Sequence, residues 1–169
     1  MRKFLTALVV VALLATSVLL VACQNNDTSS FSYILNQMQK AGKIEMDCNK
    51  SQTGTFINSI TYDGLKMGDP DAYQYVLLYI NTNDEKLIDL SGWMGNYDYN
   101  GETFYPSGVG IDLLTYSAGM KLLVVYTAAN TEGKYVPAAG DALLFTVSED
   151  ISDKAKLGET TTIEKVTLD

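Results

Sequence analysis

Not one histidine occurs in this chain, and it holds only two cysteines, three prolines and a single tryptophan. Without imidazole the chain lacks the side chain that most often serves as general base and metal ligand near neutral pH. Ser-His-Asp and Cys-His nucleophile arrangements are therefore excluded. Thr115-Tyr116-Ser117-Ala118-Gly119 approaches the Gly-x-Ser-x-Gly elbow, but Thr stands at its first glycine and no base is present to activate Ser117. Positive charge is scarce as well: 12 Lys and Arg against 20 Asp and Glu leave a net charge of −8. Such a surface repels phosphate backbones, so no nucleic-acid partner is expected.

What the chain does have is a concentrated apolar N-terminus. Arg2 and Lys3 precede Phe4 through Ala22, a run interrupted only by Thr6, Thr16 and Ser17, which is the charged and then apolar pattern of an export signal. The run is also near the roughly 20 residues that cross a bilayer, so an uncleaved anchor is the competing reading. Leu20-Val21-Ala22-Cys23 resembles the bacterial lipobox, whose cysteine is alkylated by diacylglycerol before cleavage on its N-terminal side. That resemblance implies a lipoprotein signal peptide over 1–22, lipidation of Cys23 and an extracytoplasmic, lipid-anchored protein. Two acyl chains suffice as a tether. Residues 23–30 then form the lipidated cysteine and a flexible spacer. Removing Arg2 and Lys3 takes the 12 basic residues to 10 against 20 acidic ones, a net charge near −10. A thioether on Cys23 excludes an intrachain disulfide, so the core is expected to hold without staples. Ile44, Met46 and Cys48 share one strand parity, which points Cys48 inward as a small apolar side chain.

Beyond the spacer, Phe31, Ile34, Leu35, Met38 and Ala41 recur at helical spacing. Ser29 or Ser30 suits the N-cap, and Gly42 suits a left-handed C-terminal residue. One amphipathic helix of about three turns follows. The rest reads as strand: Ile44–Cys48, Thr55–Tyr62, Tyr73–Ile80, Lys121–Ala128, Ala142–Val147 and Thr160–Leu168, separated by Gly-, Asp- and Pro-containing turns. Asn100-Gly101 supplies the positive φ angles of a two-residue hairpin turn. The expected class is α+β, a mainly antiparallel sheet packed on one N-terminal helix.

The ordered segments "LNQMQKAGKIEM", "GTFINSITYDGL", "YQYVLLYINTN", "WMGNYDYNGETF" and "AGMKLLVVYTA" resemble the domain of unknown function that is similar to the C-terminal domain of transcobalamin and intrinsic factor, as found in bacterial surface lipoproteins. The resemblance implies a β-grasp-like domain over 31–130 and a non-catalytic small-ligand-binding module, its ligand corrinoid-like, a sugar or similar. Residues 131–169 are then a C-terminal β extension, whose strands are expected to fill a sheet edge. The same tail, "AGDALLFTVSEDISDKAKLGETTTIEKVTLD", resembles the closing strands of cohesin-type β-sandwiches, which implies the alternative of an all-β adhesion or scaffold module with a protein partner.

Two side-chain groupings invite chemistry. Trp93, Tyr97, Tyr99, Phe104 and Tyr105 fall within thirteen residues around the expected hairpin, with Tyr97, Tyr99 and Tyr105 assigned one parity. Aromatic faces with polar tips suit sugars, corrinoid rings or peptide. Cross-strand pairing that stabilises the hairpin is the plainer use of the same residues. Asp63, Asp69 and Asp71 form a weak calcium candidate; ordinary turn chemistry explains them as well. The chain is expected not to be an enzyme.

Overall fold

The computed structural model describes residues 27–169. The signal peptide, Cys23 and Gln24–Asn26 lie outside the described residues. Among those described, no helix is long and apolar enough to cross a membrane.

The chain order is α1 (Phe31–Lys40), β1 (Glu45–Ser51), β2 (Gly54–Tyr62), β3 (Leu65–Met67), β4 (Leu77–Ile80), β5 (Tyr97–Tyr99), β6 (Glu102–Pro106), β7 (Lys121–Val125), β8 (Thr127–Ala129), β9 (Tyr135–Pro137), β10 (Gly140–Thr146), α2 (Leu157–Thr160) and β11 (Thr162–Leu168). Every pairing between these strands is antiparallel. β1-β2-β3 form one sheet, β11-β10-β7-β4-β6-β5 a second, and β8-β9 a separate hairpin.

α1 buries Phe31, Ile34, Leu35 and Met38, the positions that helical periodicity places on one stripe. Its N-terminus is satisfied by tertiary partners rather than by a side-chain cap: Phe31 N–H donates to Leu114 O at 2.7 Å and Ser32 N–H to Ile111 O at 2.9 Å. Ser30 occupies the cap position, yet its hydroxyl donates to Asp27 O. At the other end Gly42, at φ 70°, donates to Gln39 O and Lys43 to Met38 O, the paired bonds of a Schellman turn.

The main core lies between α1 with the three-stranded sheet on one side and one face of the six-stranded sheet on the other. α1 supplies its stripe, β1–β3 supply Met46, Cys48, Ile57, Ile60 and Met67, and the large sheet supplies Ile80, Leu122, Val124, Leu143, Phe145 and Ile163. The strand period of two sends the alternate residues to the other face, where Tyr79, Phe104, Leu123, Val125, Ala142 and Leu168 form a second cluster. Six strands laid flat would separate β5 from β11 by about 24 Å. Tyr97 of β5 nevertheless donates its hydroxyl to Asp169 O, just past β11, at 3.4 Å. The sheet is thus strongly curled, and the second cluster fills its concave side.

Several expectations need correction. Residues 28–30 are not a free spacer: Ser30 is 1% exposed and bridges to Thr115, while Tyr116 donates its hydroxyl to Thr28 O at 2.6 Å. The strand expected over Tyr73–Ile80 starts only at Leu77, because Asp69 N–H bonds to Gln74 O and Tyr73 sits in the left-handed region at φ 58°. Lys121–Ala128 is split at Tyr126, whose hydroxyl turns to accept the Gly68 N–H at 2.7 Å. Thr160 belongs to α2, so the last strand begins at Thr162. Cys48 does point inward, at 5% exposure, but it is engaged in a disulfide, against the expectation of an uncross-linked core. Cys23 is the chain's other cysteine. One sulfur carries either a thioether or a disulfide, so lipidation of Cys23 and a disulfide through it are alternatives. The expected hairpin tip is present, with Asn100 at φ 50° and Gly101 at φ 79° between β5 and β6.

Candidate functional site

The β5–β6 register decides the fate of the aromatic group. Tyr97 lies opposite Phe104 and Tyr99 opposite Glu102, so Tyr97, Tyr99 and Phe104 share the concave face. Tyr105 pairs with Ile80 and so belongs to the other face, not to that of Tyr97 and Tyr99 as the assigned parity had it. Phe104 is 1% exposed, and Tyr99 meets it edge-on with ring centroids 6.5 Å apart. Phe104 is a core residue, closed to any ligand. Tyr97 and Tyr99 are half-buried against the same cluster. Desolvation raises the Tyr97 phenol pKa, with the charge of Asp169 adding to the shift.

Trp93 is separated from these and stands out at 72% exposure. Its backbone is held nonetheless. Tyr135 N–H donates to Trp93 O at 3.0 Å, Gly95 N–H donates to Tyr135 O at 2.8 Å, and Met94 bridges Tyr135 in parallel fashion. Residues 93–95 therefore lie alongside β9, joined to it by an isolated bridge at Met94. Gly95 permits the approach, since a Cβ there would fall 2.8 Å from the Val136 side chain. Met94 packs inward on the concave cluster, and Tyr79 reaches across to donate to Tyr135 O at 3.3 Å. Burial pushes the Tyr79 phenol well above the usual range, Asp89 adding to the effect. Tyr135, 49% exposed, is the bridge partner of Met94 and shares its face, opposite to that of Trp93. Sequence reasoning reached Trp93 but missed the backbone support from Tyr135, which lies forty-odd residues away and meets this segment only through tertiary pairing.

A second feature is a small recess of about 30 Å³ between β2, the start of β4 and the 107–111 loop. Phe56, Ile57, Val76, Leu77, Val109 and Ile111 give it an apolar lining, and Thr55 and Ser107 are its hydroxyl-bearing residues. No titratable side chain lines it.

The aspartate trio is not brought together. Asp63 is taken by Lys165, whose ammonium lies 2.6 Å from its carboxylate and also donates to its carbonyl. Asp69 accepts the Ala72 N–H as the cap of a short 3-10 turn, and Asp71 is exposed on that turn. Among the described residues, no three acidic or sulfur-bearing groups are placed to hold a metal ion. No protein-family model, curated protein or solved structure matches this chain.

Proposed function

We propose that the chain is a non-catalytic binding module, tethered outside the cytoplasmic membrane through diacylglycerol on Cys23, that takes a small ring-bearing ligand on Trp93. The observation that carries the ligand surface is a largely exposed indole on a backbone fixed by two hydrogen bonds to β9. Flat aromatic faces on a rigid support stack on sugar or corrinoid rings at little entropic cost. The β-grasp-like reading rests on α1 lying against one face of a curled antiparallel sheet. The tether rests on the lipobox-like Leu20–Cys23 and holds for the chain in which Cys48 is not disulfide-bonded.

Trp93 is the one tryptophan in the sequence, so its emission reports on this surface directly. Titrating the protein with oligosaccharides and with corrinoids should quench or shift that emission for one class. Trp93→Ala should weaken binding about tenfold or more, as loss of an aromatic contact does, whereas Tyr135→Ala, on the opposite face of the paired segment, should leave it unchanged. Unchanged emission across both classes would remove the ligand surface from consideration.

A further inference from the structure

We propose that the folded chain joins Lys121 to Asn81 through an isopeptide bond that it forms on itself, with Glu102 as the acid–base group. The three residues come from strands that lie side by side in the large sheet, in the order β7, β4, β6. Asn81 follows Ile80, which pairs with Leu122, and its N–H donates to Lys121 O at 3.1 Å. Asn81 thus stands opposite Lys121. The Lys121 ammonium nevertheless pairs with Glu102 on β6, so its side chain crosses the middle strand at Asn81. All three side chains take the concave face by the strand period of two, because Tyr79, Leu123 and Phe104, two residues along the same strands, belong to the concave cluster.

Each role in an amide exchange is filled by a contact. Asn81 Oδ1 accepts the Lys121 backbone N–H at 2.7 Å, which draws electrons from Cγ and is placed to hold an oxyanion there. Asn81 Nδ2 donates to Glu102 Oε2 at 3.4 Å, so the leaving nitrogen faces a group able to protonate it. Lys121 Nζ donates to the other oxygen, Oε1. One carboxylate therefore touches both the nucleophile and the leaving group, and in a chain without histidine it supplies the acid–base function. The buried Tyr79, Leu123 and Phe104 beside the trio favour neutral amine and carboxylic acid over the separated charges.

The step runs as follows in atoms. Lys121 Nζ gives a proton to Glu102 Oε1, and the freed amine attacks Asn81 Cγ, forming the Nζ–Cγ bond. Glu102 then protonates Nδ2 and takes a second proton from Nζ. The Cγ–Nδ2 bond breaks, the Cγ carbonyl is restored, and ammonia departs, taking the last proton from Glu102 as ammonium. No oxidant, metal or co-reactant is needed, and the carboxylate ends as it began. The reaction happens once per chain and uses no outside substrate. Its product ties both ends of the 82–120 segment, which carries Trp93, to the centre of the sheet.

Peptide mapping of the full chain by high-resolution mass spectrometry, after days of incubation at neutral pH, tests the proposal. A branched peptide joining Asn81 to Lys121, lighter than its two parts by one ammonia, is expected. Locating the loss by fragmentation separates it from a cyclic imide at Asn100-Gly101, which also loses ammonia. Glu102→Gln should slow the joining at least about tenfold, the scale of a lost general acid–base group, while a cooperative urea transition shows that the variant folds. Recovery of Lys121 and Asn81 on separate, unmodified peptides would overturn the proposal and leave the trio a surface ion pair with an amide neighbour. Conversion of Asn81 to Asp would also overturn it, since water rather than Lys121 would then be the nucleophile. Joining at an unchanged rate in folded Glu102→Gln would overturn the role given to Glu102.

Discussion

The ring of Phe31, the first residue of α1, meets the ring of Phe145 in β10 edge-on, with centroids 5.6 Å apart and planes at 89°. The helix and the C-terminal strands thereby share one core, and residues 131–169 are part of the main body. Gln37 strengthens the union from the same helix, accepting Gly158 N–H and donating to Lys154 O.

Phe145→Ala should cost about 3–5 kcal/mol, the usual loss for a fully buried phenylalanine. A chain ending at Asn130 would lose β10 and β11 together, uncovering the edge of β7 and the apolar face of α1. It should fail to show a cooperative urea transition. If that shortened chain stayed monomeric with an unchanged midpoint, the extension would be an appendage.

Gly64 and Gly68 both sit at positive φ, 79° and 84°, but in different surroundings. A Cβ on Gly64 meets open space, whereas one on Gly68 would fall 2.1 Å from Asn58 O. Gly64→Ala should cost about 1–2 kcal/mol for the left-handed backbone alone. Gly68→Ala should cost a further 1–3 kcal/mol or so, because the backbone of β2 must move. Urea midpoints of the two variants give the comparison, and equal losses would mean that β2 yields freely.

The two aromatic roles should separate on mutation. Phe104→Ala should lower stability by about 3–5 kcal/mol, through the cavity left in the concave cluster. Trp93→Ala should change it by less than about 0.5 kcal/mol, as for exposed side chains outside special features. Thermal melts of both variants read this without any ligand.

Tyr79 sets an alkaline limit. Its folded-state pKa is raised, so the stabilisation it reflects is complete below about pH 10, where an unburied phenol titrates, and is lost as pH rises from there toward the folded value. Stability should fall more steeply above pH 10 in the unaltered protein than in Tyr79→Phe. Denaturation midpoints measured from pH 8 to about 11 test the sign; parallel curves would count against it.

Asp27 and Asp150 act at the acid end. Hydrogen bonds from the Ser29 and Ser152 side chains, then from their backbones, lower the two carboxyl pKa values. That contribution is present above about pH 4 and fades as pH falls through the folded values. The melting difference between the unaltered protein and Asp27→Asn should therefore shrink on acidification. A constant difference from pH 7 to about pH 2 would refute it.

The sheet-rich, antiparallel character was legible because strand signals are local: alternation, β-branched residues and the Asn100-Gly101 turn. The failures were equally physical. Tyr73–Val76 has strand composition, but hydrogen bonding between Asp69 and Gln74 closes a turn there first. β9 is three residues long and exists through its pairing with β8 and residues 93–95, partners that no local pattern reveals. At the candidate site, Trp93 was visible as an aromatic in a cluster. That Phe104 and Tyr105 take opposite faces of the sheet depends on strand register, and that Tyr135 pairs with the segment around Met94 depends on topology.

The hydroxyl of Tyr97 that reaches Asp169 O ties together positions 72 residues apart, across the full order of the large sheet. Closures of that span form late, since the loop entropy is spent before the contact repays it. The concave apolar cluster is then wet until the last strand arrives. Refolding should accordingly run in milliseconds to seconds rather than microseconds, the pace of non-local β topologies. During that interval the exposed backbone of β7 and β10 is the stretch most open to capture by a neighbouring chain, which makes dilution the variable that governs refolding yield.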